Sequence, residues 1–85
     1  MDSTEFVNEP VNVNSSMDNK GHTTPQKLTW RNKQYTIVTV GRQWDETDGR
    51  YVLVETADGS RFELQLRREN LIWYLRKVWW GQIVA

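Results

Sequence analysis

Tyr51-Val52-Leu53-Val54-Glu55-Thr56-Ala57-Asp58-Gly59-Ser60-Arg61-Phe62-Glu63-Leu64-Gln65-Leu66 is the stretch that decides the fold. Asp58-Gly59 is a strong hairpin signal, because the central residues of a type I′ turn need positive φ and Gly supplies it without strain. After the turn, Phe62, Leu64 and Leu66 alternate with Arg61, Glu63 and Gln65, the pattern of a strand with one apolar and one wetted face. Before it, Tyr51 to Thr56 is rich in β-branched and aromatic residues, which fit a pleated surface.

The same grammar continues outward. Lys27 to Arg31 reads as a short strand with Leu28 and Trp30 on one face, and Asn32-Lys33 as a turn. Tyr35 to Val40 reads as a second strand, with Gly41 marking a bulge. Asp45 to Gly49 is a turn cluster, Glu69-Asn70 a last turn, and Ile72 to Trp80 the final strand. The fold class expected is all-β: a five-stranded antiparallel meander over residues 26–85, forming a curled sheet or half-open small barrel. Leu71, Leu75, Val78 and Trp79 also sit at helical spacing, which allows a helix over Asn70 to Trp80; Trp73, Tyr74, Trp79 and Trp80 favour the strand. Trp30 and Trp73 are assigned to the core, with Leu28, Ile37, Leu53, Leu64 and Leu75.

Residues 1–25 carry Asn, Ser, Asp, Glu and Thr, with Phe6, Val7, Val11 and Val13 as the main apolar side chains. These are too few to offset ordering entropy, and the segment is expected to be a disordered arm. The zero net charge of the 85 residues hides an asymmetry: residues 1–25 carry −3 and residues 26–85 carry +3. There is no cysteine, so neither a disulfide scaffold nor a zinc ribbon is available. No apolar run approaches the roughly 20 residues that span a bilayer, and the first residues lack a signal-peptide pattern. A cytoplasmic protein with no membrane partner is expected.

The chemistry of catalysis is thin. The single His is His22, in the expected arm, so a Ser–His pairing has no folded home. The five glycines are isolated, and no phosphate loop occurs. Glu46, Asp48, Gly49 and Glu55 fall at calcium-loop positions, but Trp44 would occupy the first ligand position, and turn chemistry explains them better. The expectation is a protein that is not an enzyme and holds no cofactor and no metal.

Binding chemistry is richer. The chain has five Trp, three Tyr and two Phe. Arg61, Arg67, Arg68, Arg76 and Lys77 lie on two strands expected to pair. Trp73-Tyr74 and Trp79-Trp80 are adjacent, and successive strand residues point to opposite faces, so one core cannot bury both members of either pair. Exposed rings beside cations suit a single-stranded nucleic acid, with Arg67, Arg68, Arg76 and Lys77 on phosphates and Tyr74 or Trp80 stacked on bases. They equally suit a protein partner, or self-association through Trp79, Trp80 and Ile83, although a monomer is favoured. The plain alternative is that most of these Trp simply build the core of a small domain, while the arginines keep strand edges from aggregating.

Leu28-Thr29-Trp30-Arg31-Asn32-Lys33-Gln34-Tyr35, with Val38, Trp44, Tyr51 to Ala57, Asp58-Gly59, Trp73-Tyr74-Leu75 and Val78-Trp79, resembles a bacterial small β domain of unknown function. A similar segment occurs near the C-terminus of Y-family polymerase-like proteins of the damage-induced mutagenesis cassette. The resemblance covers about residues 25–80. It implies a small β domain of no known activity, and a DNA repair or lesion-bypass setting with single-stranded DNA or a polymerase-type protein as partner. The family's last turn usually carries Thr-Gly; here Arg68-Glu69-Asn70-Leu71 has no glycine.

Overall fold

The computed structural model describes residues 4–17, 19–21 and 23–81. Seven strands follow one another: β1 Thr4–Pro10, β2 Asn12–Met17, β3 Thr23–Trp30, β4 Lys33–Glu46, β5 Gly49–Thr56, β6 Arg61–Arg67 and β7 Trp73–Trp79. They form one antiparallel sheet in the order β1-β7-β6-β5-β4-β3-β2, which is not closed into a barrel. The all-β class and the antiparallel meander are as expected. The count of five is corrected to seven, because residues 4–17 of the expected arm supply both edge strands. His22 and Ile83 lie outside the described residues.

β1 and β2 are separated by Val11 alone, yet they occupy opposite edges of the sheet. The Val11 N–H donates to the Trp73 carbonyl at 3.0 Å, and the Val11 side chain is buried. One extended stretch thus passes from beside β7 to beside β3, which requires the sheet to curl until its edges are near neighbours. No ladder joins β1 to β3 among the described residues, and side chains span that seam instead. Trp30 Nε1 donates to Glu9 Oε1 at 2.9 Å, and Arg31 pairs with Glu9 at 2.9 Å and with Glu5 at 3.8 Å; beside the β1–β7 ladder, Trp80 Nε1 donates to Glu5 at 3.2 Å. Arg31 is aimed at this seam by its turn: Arg31 and Asn32, at φ 51° and 62°, are the two central residues, one position before the turn expected at Asn32-Lys33.

Inside the curl lie Val11, Leu28, Trp30, Tyr35, Val52, Val54, Phe62, Leu64, Leu75 and Val78. Phe62, Leu28, Leu64, Leu75 and Val78 are fully buried; each such side chain contributes about 1.5–3 kcal/mol of transfer free energy. Ile37 and Trp73 are half-buried against this core, as is Trp80. Leu53 is not in it. The hairpin register sets Val54 opposite Phe62 and Leu53 opposite Glu63, which sends Leu53 to the outer face and makes Val52 and Val54 the core residues of β5.

β7 is a strand, and its helix-like spacing has a backbone cause. Glu63 is opposite Lys77 while Leu64 is opposite Leu75, so Arg76 is an extra residue in the ladder. Such a bulge resets the alternation. It lets Leu75 and Val78, three positions apart, face the same core. A register shift between Val40 and Gln43 likewise places a bulge at Gly41, as expected.

Candidate functional site

The outer face of β4, β5, β6, β7 and β1 carries side chains in rows that follow from the ladder registers. One row runs Trp44, Tyr51, Gln65, Tyr74, Pro10, each opposite the next on adjacent strands. At the usual interstrand spacing of about 4.8 Å it extends for about 19 Å. A second runs Leu53, Glu63, Lys77, Phe6, and a third Glu55, Arg61, Trp79, Thr4.

The first row is held together by stacking and hydrogen bonds. The rings of Trp44 and Tyr51 stack with centroids 5.3 Å apart and planes 9° from parallel. The Arg42 guanidinium lies 5.1 Å from the Trp44 ring, Arg76 6.0 Å from Tyr51, and Arg67 3.5 Å from Tyr74. At the centre is Gln65, a buried polar residue on the outer side of β6. Its Oε1 accepts from Arg76 Nη1 at 2.9 Å and from Arg67 Nε at 3.5 Å, and its Nε2 donates to the Asp48 carbonyl at 3.3 Å. Arg67 also donates to Asn8 Oδ1 at 3.2 Å, tying the row to β1. The Tyr51 hydroxyl donates to Asp48 Oδ2 at 3.0 Å; burial pushes its pKa above the ordinary phenol value, and the bond to Asp48 adds to that. Lys77 lies 5.4 Å from the Phe6 ring, which is 75% exposed.

Of the residues singled out from sequence, Arg61, Arg67, Tyr74, Arg76, Lys77 and Trp79 are together on this face. Arg61 pairs with Glu55 at 3.7 Å. Arg68 stands beyond the row, in the turn after β6, where its Nη2 donates to the Glu46 carbonyl at 3.1 Å. A cleft of about 420 Å3 lined by Thr47, Asp48, Gln65, Arg67, Arg68 and Glu69 joins Arg68 to the row. Trp80 is placed differently. The bulge at Arg76 turns it inward, where it stacks on Trp30 at 5.9 Å and meets the Phe62 ring edge-on at 6.1 Å. Two acids of the calcium-like pattern have partners in the fold: Asp48 receives the Tyr51 hydroxyl and Glu55 meets Arg61.

Arg42, Trp44, Tyr51, Gln65 and Phe6 belong to the face but were not among the sequence candidates. The missing signal was pairing across the Thr47-Asp48 turn, which sets Trp44 opposite Tyr51. Arg42, Arg61, Arg67, Arg76 and Lys77 share this face with Glu46, Asp48, Glu55 and Glu63, and Arg67 also meets Glu69 at 3.9 Å.

A domain of unknown function, DUF6504, matches residues 1–81. The chain belongs to the DUF6504 family. That match includes the segment that forms β1 and β2. Neither the curated proteins nor the solved structures give a match.

Proposed function

We propose that this DUF6504 domain is a non-enzymatic, cytoplasmic binding module whose outer face takes a single-stranded nucleic acid, in a DNA repair or lesion-bypass setting. The observation that carries the reading is the row Trp44, Tyr51, Gln65, Tyr74, in which Tyr51 and Gln65 are buried, the rings of Trp44 and Tyr74 are part-exposed, and guanidinium groups lie over the rings. Rings and guanidinium planes are both stacking surfaces for unpaired bases, and neighbouring cations track the phosphates. Phe6 and Trp79 extend the stacking surface towards β1, beside Lys77 and Arg61. The repair setting rests on the resemblance of residues 25–80 to a segment of polymerase-like proteins.

Fluorescence anisotropy with a labelled oligodeoxynucleotide tests this. Affinity should fall with salt at a log–log slope of about −0.7 per phosphate contact. Reversing Arg61 and Lys77 to Glu should weaken binding and flatten that slope. A salt-independent affinity removes the reading.

Protein association is the second reading, favoured by the 75% exposure of Phe6 diagonally across from Trp79. With Trp80 packed against Trp30, a self-association patch would centre on Phe6 and Trp79. Sedimentation equilibrium distinguishes it: a clean monomer at high concentration counts against a homodimer.

A further inference from the structure

The turn between β6 and β7 presents Leu71 and Ile72 to solvent, 72% and 44% exposed. Leu71 has φ 56°, the left-handed region in which a side chain crowds the following carbonyl. The turn requires that conformation: the Leu71 N–H donates to the Arg67 carbonyl at 2.8 Å, and the Arg67 N–H donates to the Ile72 carbonyl at 3.1 Å. A glycine there would relieve the strain, and nothing that Leu71 buries within the chain repays it. Strained residues held by their surroundings concentrate at sites of function.

The turn is firmly mounted. Arg67 lies on Tyr74 and bonds Asn8, the Arg68 N–H donates to the Asp48 carbonyl at 3.1 Å, and the Ile72 N–H is held by Asn70 Oδ1 at 3.0 Å. It therefore holds two adjacent apolar side chains beside Arg67 and Arg68, at the end of the outer aromatic row.

We infer that Leu71 and Ile72 form a wedge that caps the last base pair where a single strand meets a duplex. The inference rests on the outer-face reading and specifies its substrate. A terminal base pair offers a flat apolar face bordered by phosphates, and the turn offers an apolar pair beside the guanidinium groups of Arg67 and Arg68, the former shared with the exposed carboxylate of Glu69 at 3.9 Å. Apolar side chains of this kind stack on or between base pairs in other nucleic-acid complexes. The single strand leaving the junction continues along the row from Tyr74 to Trp44.

The test compares four labelled DNA probes by anisotropy: a single strand, a blunt hairpin, and the same hairpin carrying that single strand as a 5′ overhang or as a 3′ overhang. The wild-type protein should bind one of the overhang probes at least about fivefold more tightly than the single strand. Leu71→Gly should abolish this preference while leaving single-strand affinity within about twofold. The variant should also melt at a higher temperature than wild type, which separates loss of preference from loss of folding. Single-strand binding with no junction preference, or a preference that survives Leu71→Gly and Ile72→Ser together, overturns the wedge and leaves the outer face standing. Absence of binding to every probe overturns both.

Discussion

The indole N–H of Trp30 donates a 2.9 Å hydrogen bond to the carboxylate of Glu9, and the two residues belong to strands with no backbone ladder between them. The bond is the innermost link of the seam where the two ends of the curled sheet meet. Arg31 secures the same carboxylate from the solvent side.

Acid should open this seam. Arg31, and then Trp30, donate to Glu9 and hold its carboxyl below the usual carboxylate range. A depressed folded-state pKa contributes stability that is complete above the unfolded value and is lost as pH falls through the folded one. Glu9→Gln should therefore be less stable than wild type at neutral pH, and the gap should close as pH drops below the ordinary carboxylate pKa. Urea denaturation at pH 7 and at acidic pH reads the difference. A gap that stays constant with pH would show that the charge of Glu9 does not matter.

Gln65 should be costly to replace despite lying on the outer side of the sheet. Gln65→Met keeps the length but removes the acceptor shared by Arg76 and Arg67, and one of the two donors to the Asp48 carbonyl. A loss of about 1–3 kcal/mol in chemical denaturation is expected. Near-neutral stability would mean that water replaces the amide without penalty.

Gly49 opens β5 at φ 149°, and a Cβ there would collide with the Leu66 carbonyl oxygen. The obstacle is ladder backbone and cannot rotate aside. Gly49→Ala should cost about 2–4 kcal/mol by thermal or urea melts. A cost within experimental error would show that the β5–β6 register slips to make room.

These sites also mark what the sequence made legible. The Asp58-Gly59 hairpin and the alternation of β6 were readable because turn chemistry and period-2 burial agree there. β1 and β2 were not. From Val7 to Val13 every second residue faces inward, but one of them is Glu9, a carboxylate whose inward place depends on Trp30 and Arg31 elsewhere in the chain. Pro10 further disguised the strand, although an edge strand tolerates proline. Strict alternation from the core residues Trp73 and Leu75 sends Trp80 outward, because it carries no information about the extra residue at Arg76. Leu53 reads as core from sequence because β5 is apolar on both faces, which leaves its register undetermined by pattern alone. Most of the outer-face cations were legible; the row they cover was not, since it exists only once Trp44, Tyr51, Gln65 and Tyr74 are set side by side by four strands.

The most direct measurement is an amide-shift NMR titration of the 15N-labelled full chain with a short single-stranded DNA at low and at moderate salt. The account predicts shifts at Arg42, Trp44, Tyr51, Gln65, Arg67, Tyr74 and Lys77, on four separate strands, weakening together as salt rises. No shifts at low salt, or shifts confined to the inner cleft lined by Val52, Leu66 and Trp73, would contradict it.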